Sequence, residues 1–211
     1  MIEVMAIMPS HTPLPLTSDS LPDKSPAFPL AVYETILQHD VSGHLSWHWH
    51  EELQLCLVTA GRVTFSFGPL QIALCAGEGI FIGSGCLHMV QSLGDAPGSC
   101  LCLTFSPKLL GSFQGSTLEQ TYVLPYLYAP ELSFIPLRRG EDWQRQVLDQ
   151  AVKIQNAYIH RRFGYEYECI SLLYQIWLAL LSHRPSEGGG SRAPGPDNNS
   201  LPPIPPFINT P

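Results

Sequence analysis

The chain has 211 residues, 45% apolar and 14% charged, with a net charge of −7, enough for one globular domain of ordinary size. Its 11 Lys and Arg stand against 18 Asp and Glu and form no run longer than the pairs Arg138–Arg139 and Arg161–Arg162, which disfavours nucleic-acid binding through a basic face. No apolar run approaches the roughly 18–20 residues that span a bilayer, and Val4–Met8, with no Lys or Arg before Lys24, does not read as a secretory signal.

Residues 1–29 carry six prolines and little periodicity, so a flexible Pro-rich arm is expected there. From 30 the text becomes short apolar stretches separated by Gly and Pro: Ala31–Leu37, Leu45–Thr59, Val63–Phe67, Gln71–Leu74, Ile80–Ile82, His88–Leu93 and Cys100–Phe105. Closely spaced short strands of this kind predict an all-β sandwich or barrel. An irregular connection follows through Pro107, Pro125, Pro130 and Pro136, so the barrel unit is placed at 30–140.

Two helices are predicted at 141–184. In the first, Trp143, Val147, Ala151, Ile154 and Tyr158 recur at helical intervals; in the second, Ile170, Leu173, Ile176, Trp177, Leu180 and Leu181 make a broad apolar stripe. That stripe is expected to meet a second copy of the chain in part, giving a homodimer. Residues 185–211 have the composition of a disordered Pro/Gly/Ser-rich linker. The six cysteines include no CxxC and sit mostly in apolar runs, which suggests free thiols in a reducing, cytoplasmic setting.

The chemistry concentrates in His48-Trp49-His50-Glu51-Glu52-Leu53-Gln54 and in the stretch from Gly77 to His88. Read as one extended strand, the first segment projects His48, His50 and Gln54 to one side, and Trp47, Trp49, Leu53 and Leu55 to the other. A neighbouring strand carrying His88 completes a set of three nitrogens and one oxygen suited to Zn, Ni, Fe or Mn. Without a metal, the same side chains would line a pocket for an organic ligand. The tryptophans are expected to pack under the helices, Glu51 and Glu52 to sit at the rim, and Cys100 and Cys102 to be packed thiols.

These stretches resemble the paired cupin motifs through Gly43, His48, His50, Gln54 and Gly61, then Gly77, Gly83, Gly85, His88 and Ser92. Gln54 stands where cupins carry a Glu ligand, Gly83 where they carry Pro, and Ser92 where they carry Asn. Losing the carboxylate removes one negative charge from the ligand set and weakens its hold on a divalent ion. HWHEELQLCLVTAG, GEGIFIGSGCLH, TFSPKLL and YVLPYL, with the two helices, narrow the resemblance to the N-terminal effector-binding and dimerisation domain of AraC-type transcriptional regulators, over about residues 28–184.

The resemblance implies a mainly β fold, a cupin-type double-stranded β-helix (jelly-roll) barrel followed by two α-helices. It implies a small-molecule effector bound by His48, His50, Gln54 and His88, dimerisation through the helices, no catalytic residue, and no DNA-binding domain within these residues. The alternative is a metal-dependent cupin enzyme of dioxygenase or isomerase type.

Overall fold

The structure, a computed structural model, describes residues 17–18, 27–37, 44–94 and 96–184. The arm expected at 1–29 lies outside the described residues apart from 17–18 and 27–29, and the linker expected at 185–211 lies wholly outside them. The described elements are β1 (Thr17–Ser18), β2 (Leu30–Leu37), β3 (His44–Trp49), β4 (Leu53–Ala60), β5 (Arg62–Phe67), β6 (Leu70–Cys75), β7 (Gly79–Ile82), β8 (His88–Ser92), β9 (Gly98–Phe105), β10 (Phe134–Leu137), α1 (Asp142–His160) and α2 (Tyr165–Ser182).

The strands form two five-stranded sheets, ordered β1-β3-β8-β5-β6 and β10-β7-β4-β9-β2. Their pairing is nested: β2 with β9, β3 with β8, β4 with β7 and β5 with β6, all antiparallel. A long hairpin wrapped on itself in this way is a jelly roll, the cupin-type fold expected. The tip of that hairpin is the β5–β6 turn.

Alternation on the second sheet decides what each face meets. Leu53, Leu55 and Leu57 of β4, Phe81 of β7 and Leu101 and Leu103 of β9 form one core with the two helices. Cys56, Val58, Ile80, Ile82, Cys100 and Cys102, of opposite parity, face the first sheet and pack with Val63, Phe65, Leu74 and Val90. Each fully buried Leu, Ile or Phe contributes roughly 1.5–3 kcal/mol relative to an exposed one.

The helices pack where their stripes predict, α1 through Val147, Ala151 and Ile154, α2 through Leu173, Ile176, Trp177 and Leu180. The connection Arg161 to Gly164 turns sharply, and Gly164 takes φ 82, a left-handed conformation that glycine adopts without strain. Trp143 at the start of α1 stacks on His183 just past the end of α2, ring centroids 4.5 Å apart. The Trp177 indole N–H donates to the Tyr122 carbonyl at 2.8 Å and pins the connection between barrel and helices.

Four expectations are corrected. Leu45–Thr59 is two strands, β3 in one sheet and β4 in the other, because the chain crosses between sheets at His50–Glu52. The connection after Phe105 contains a strand, β10, whose Pro136 sits at the free edge of the sheet beside β7, where its missing N–H breaks no ladder. Trp47 and Trp49 do not lie under the helices: β3 belongs to the sheet the helices do not cover, and Trp49 is 37% exposed. Leu173, Ile176, Trp177, Leu180 and Leu181 are buried within the one chain, so of the expected stripe only Ile170, which is half-buried, keeps surface for a partner.

Candidate functional site

His48 on β3 and His88 on β8 are cross-strand partners, which brings their rings to a centroid separation of 4.2 Å. His50 lies just past the end of β3, where the chain leaves the first sheet, and its ring is 5.2 Å from that of His88 and 6.1 Å from that of His48. One ring nitrogen from each histidine lies within 4.8 Å of the others, and all three residues are buried.

Backbone carbonyls fix the ring orientations. His50 Nδ1 is 2.9 Å from the Glu52 carbonyl and His88 Nδ1 is 2.9 Å from the Cys86 carbonyl. A carbonyl only accepts, so each Nδ1 carries the proton and each Nε2 presents a lone pair. His50 Nε2 is buried without a hydrogen-bond partner. Two backbone contacts hold the crossover that places it: Gly85 N–H donates to the His50 carbonyl and the Ser84 hydroxyl to the Glu51 carbonyl, both at 2.8 Å.

Gln54 enters from the opposite sheet. Its amide nitrogen donates to the Tyr33 hydroxyl at 3.2 Å and to the Thr104 hydroxyl at 3.3 Å. The carbonyl oxygen is therefore the atom turned toward His50, where it would favour a protonated imidazole. In the neutral state that oxygen and Nε2 are both acceptors and cannot satisfy each other. The set wants a Lewis acid or a hydrogen-bond donor between its members.

Burial disfavours the charged forms of His88 and His50. Desolvation, then the neighbouring His48, pushes the pKa of His88 down to about 3, and desolvation likewise lowers that of His50 against the Glu52 carbonyl contact. Burial, with Cys102 nearby, raises the pKa of Tyr33. Below this layer the thiols of Cys56 and Cys102 meet at 3.4 Å, and burial pushes Cys100 up to about 12, as packed thiols require. Cys75, by contrast, is exposed.

The structure brings together all of the predicted site residues, His48, His50, Gln54 and His88. Sequence reasoning missed Tyr33 and Thr104, although Thr104 shares its strand parity with Cys100 and Cys102 and stands opposite Gln54. Beside the crossover opens a cleft of about 420 Å³, lined by Glu51, Glu52, Ser84, Lys108, Glu119 and Tyr128 among others, with Glu51 exposed and Glu52 half-buried. The Gly83 departure also has a structural cause. Its N–H donates to the Ser133 carbonyl at 2.8 Å, and a Cβ there would run into the Leu132 carbonyl oxygen, so the segment before β10 excludes proline.

Among curated proteins, the uncharacterized HTH-type transcriptional regulator YdeC of Bacillus subtilis (strain 168) is 29% identical over 153 residues, covering 72% of this chain and 52% of that protein. The chain thus spans about half the length of the curated relative it matches. Similar solved structures include a cupin superfamily protein from Desulfitobacterium hafniense DCB-2 (13% identity, 40% of this chain and 72% of that one, TM-score 0.34). Another is a DMSP lyase from Ruegeria pomeroyi DSS-3 (24% identity, 37% of this chain and 39% of that one, TM-score 0.34). The AraC-like ligand binding domain matches residues 32–176, most of the chain, and the protein belongs to that family.

Proposed function

We propose that this chain is the small-molecule-sensing and dimerisation part of an AraC-type transcriptional regulator, with the effector bound at the histidine end of the barrel. The observation that carries the reading is the convergence of three buried imidazoles, with the Gln54 carbonyl beside His50, inside a domain of a ligand-binding family. A buried, unsatisfied acceptor such as His50 Nε2 costs stability of about 1–3 kcal/mol unless something binds it. A divalent ion fits this donor set. Nε2 of His50 and of His88, a ring nitrogen of His48 and Oε1 of Gln54 would hold it, and it would supply a Lewis-acidic position for an effector atom.

Dimerisation is proposed through helix faces other than the buried stripe. Val152 and Ile159 on α1, and Tyr167 and Leu178 on α2, are exposed at spacings that put each pair on one face of its helix, and Phe163 between the helices is fully exposed. DNA binding is proposed for the regulator as a whole and not for these residues, whose net charge is negative. A cytoplasmic location accords with the regulator reading and with free thiols, and among the described residues no helix is long and apolar enough to cross a membrane. We take the chain not to be an enzyme. The dioxygenase or isomerase alternative would use the same histidines, yet the family match is to a ligand-binding domain and no carboxylate joins the cluster among the described residues.

The test is a thermal-shift screen of sugars, organic acids and divalent ions. A compound that binds only the folded state raises the melting temperature, and His50→Ala should abolish its effect. An effector that stabilises parent and variant alike would place binding elsewhere.

A further inference from the structure

We propose that the cleft beside the crossover is the docking site of this chain's own Pro-rich segment, residues 201–207, taken up in cis as a polyproline helix. The segment reads LPPIPPF and lies outside the described residues. Pro202, Pro203, Pro205 and Pro206 fix their own φ, and each keeps the residue before it out of the helical region, so sterics alone favour the extended polyproline conformation throughout. That helix has three residues per turn. Leu201, Ile204 and Phe207 recur at this interval and fall on one edge, an apolar stripe about 19 Å long at about 3.1 Å per residue. Such a stripe cannot bury itself, and a segment already held extended has little conformational entropy left to lose on binding.

The structure brings the start of this tail to the cleft. The last turns of α2 pack on the connection that follows β9: the Trp177 indole donates to the Tyr122 carbonyl, and the Arg184 guanidinium lies 5.0 Å from the centroid of the Tyr126 ring. Leu127 and Tyr128, the next two residues of that connection, line the cleft with Leu124 and Pro107. Tyr128 is 71% exposed and Leu124 48%, so the apolar side of the cleft stands in water. Polyproline segments dock on grooves lined in this way by aromatic and apolar side chains. The volume of about 420 Å³ suits a few side chains of an extended segment and not a folded element. Charge points the same way: Arg192 is the one Lys or Arg after Arg184 in the sequence, and the cleft presents Glu51, Glu52 and Glu119 against Lys108.

Residues 185–200 then act as the tether. A Gly-rich chain of that length spans about 20–25 Å on average, enough to reach a cleft whose lining begins at the residue after Tyr126. A tether of this kind sets an effective concentration of about 1 mM, so a segment whose free form binds at about 100 μM fills the cleft in cis about nine-tenths of the time. The tail of a second copy at about 10 μM is outcompeted by about a hundredfold.

The experiment is calorimetric titration of a synthetic peptide of residues 192–211 into two forms of the full chain, the parent and a variant in which Pro202, Pro203, Pro205 and Pro206 are all replaced by Ser. The variant should bind the peptide with a dissociation constant of about 100 μM, and the parent about tenfold more weakly because its own tail competes. Adding Tyr128→Ala or Leu124→Ser to the variant should weaken the peptide by about tenfold while leaving the melting temperature where it was, since both side chains are largely exposed. No binding of the peptide to the variant would overturn the proposal, as would equal affinity for parent and variant. Binding indifferent to both Tyr128→Ala and Leu124→Ser would put the peptide elsewhere and overturn it too. A difference between parent and variant that vanishes on dilution of the protein from about 100 to about 5 μM would assign the tail to a second copy and overturn docking in cis.

Discussion

His48 and His88 face each other across the β3–β8 ladder as a direct pair, and their side chains touch inside a barrel that buries both. A cross-strand pair is the shortest route by which a sheet brings two distant positions together. Here the positions are forty residues apart in the chain, and the crossover after Trp49 adds His50 as the third ring.

The burial of His88 and His50, which lowers the pKa of both, makes stability depend on pH. In the metal-free protein His88 stays unprotonated down to about pH 3, whereas in the unfolded chain it takes up a proton near its ordinary pKa of 6.5. Below that value the unfolded state binds more protons, so stability is fully present above pH 6.5 and is lost as pH falls toward 3, by about 1.4 kcal/mol per pH unit for this group. Urea unfolding in EDTA at a series of pH values checks this, and His88→Asn should flatten the slope. His50 acts in the same direction.

Gly83→Pro would restore the residue common in the resembling motif, yet it should destabilise the protein. The proline removes the N–H bonded to Ser133 and drives ring atoms into the Leu132 carbonyl. A loss of about 2 kcal/mol or more is expected in denaturant melts.

Trp177→Phe should cost about 1–3 kcal/mol. The Tyr122 carbonyl loses its indole donor, and the smaller ring leaves space between α2 and Phe81, whose ring centroid lies 6.2 Å from that of the indole. Thermal melting followed by circular dichroism gives the value.

Leu178→Glu and Leu173→Glu separate association from folding. Leu178 is 63% exposed and Leu173 is fully buried in one chain. The parent should scatter light as a dimer, Leu178→Glu as a folded monomer, and Leu173→Glu should lose its cooperative melt. A parent mass near 23.3 kDa, that of one chain, would remove the dimer from the account.

Much of this was legible in residue order. The short apolar stretches between Gly and Pro announced the strands, and the 3–4 spacing in α1 announced the helix that packs against them. The three histidines that the sequence singled out do converge, although not as side chains of one strand: His48 lies on a strand of the first sheet, His50 just past its end, and Gln54 on a strand of the second sheet. The crossover itself has no strong turn signal, since Glu51-Glu52 is neither Gly nor Pro. β10 was hidden because Pro136 reads as a strand breaker, and an edge position is where that rule relaxes. The α2 stripe was read as too wide for one chain because the sheet's second leucine-rich face, which covers it, depends on which strands become neighbours.

The central claim, that a small molecule is sensed at the histidine end of the barrel, is tested most directly by the melting temperature of parent and His50→Ala proteins across the same panel of acids, sugars and divalent ions. The account predicts at least one compound that raises the melting temperature of the parent, with about 2.7 kcal/mol of stabilisation at a hundredfold excess over its dissociation constant, and leaves His50→Ala unmoved. An equal rise in both proteins would contradict it.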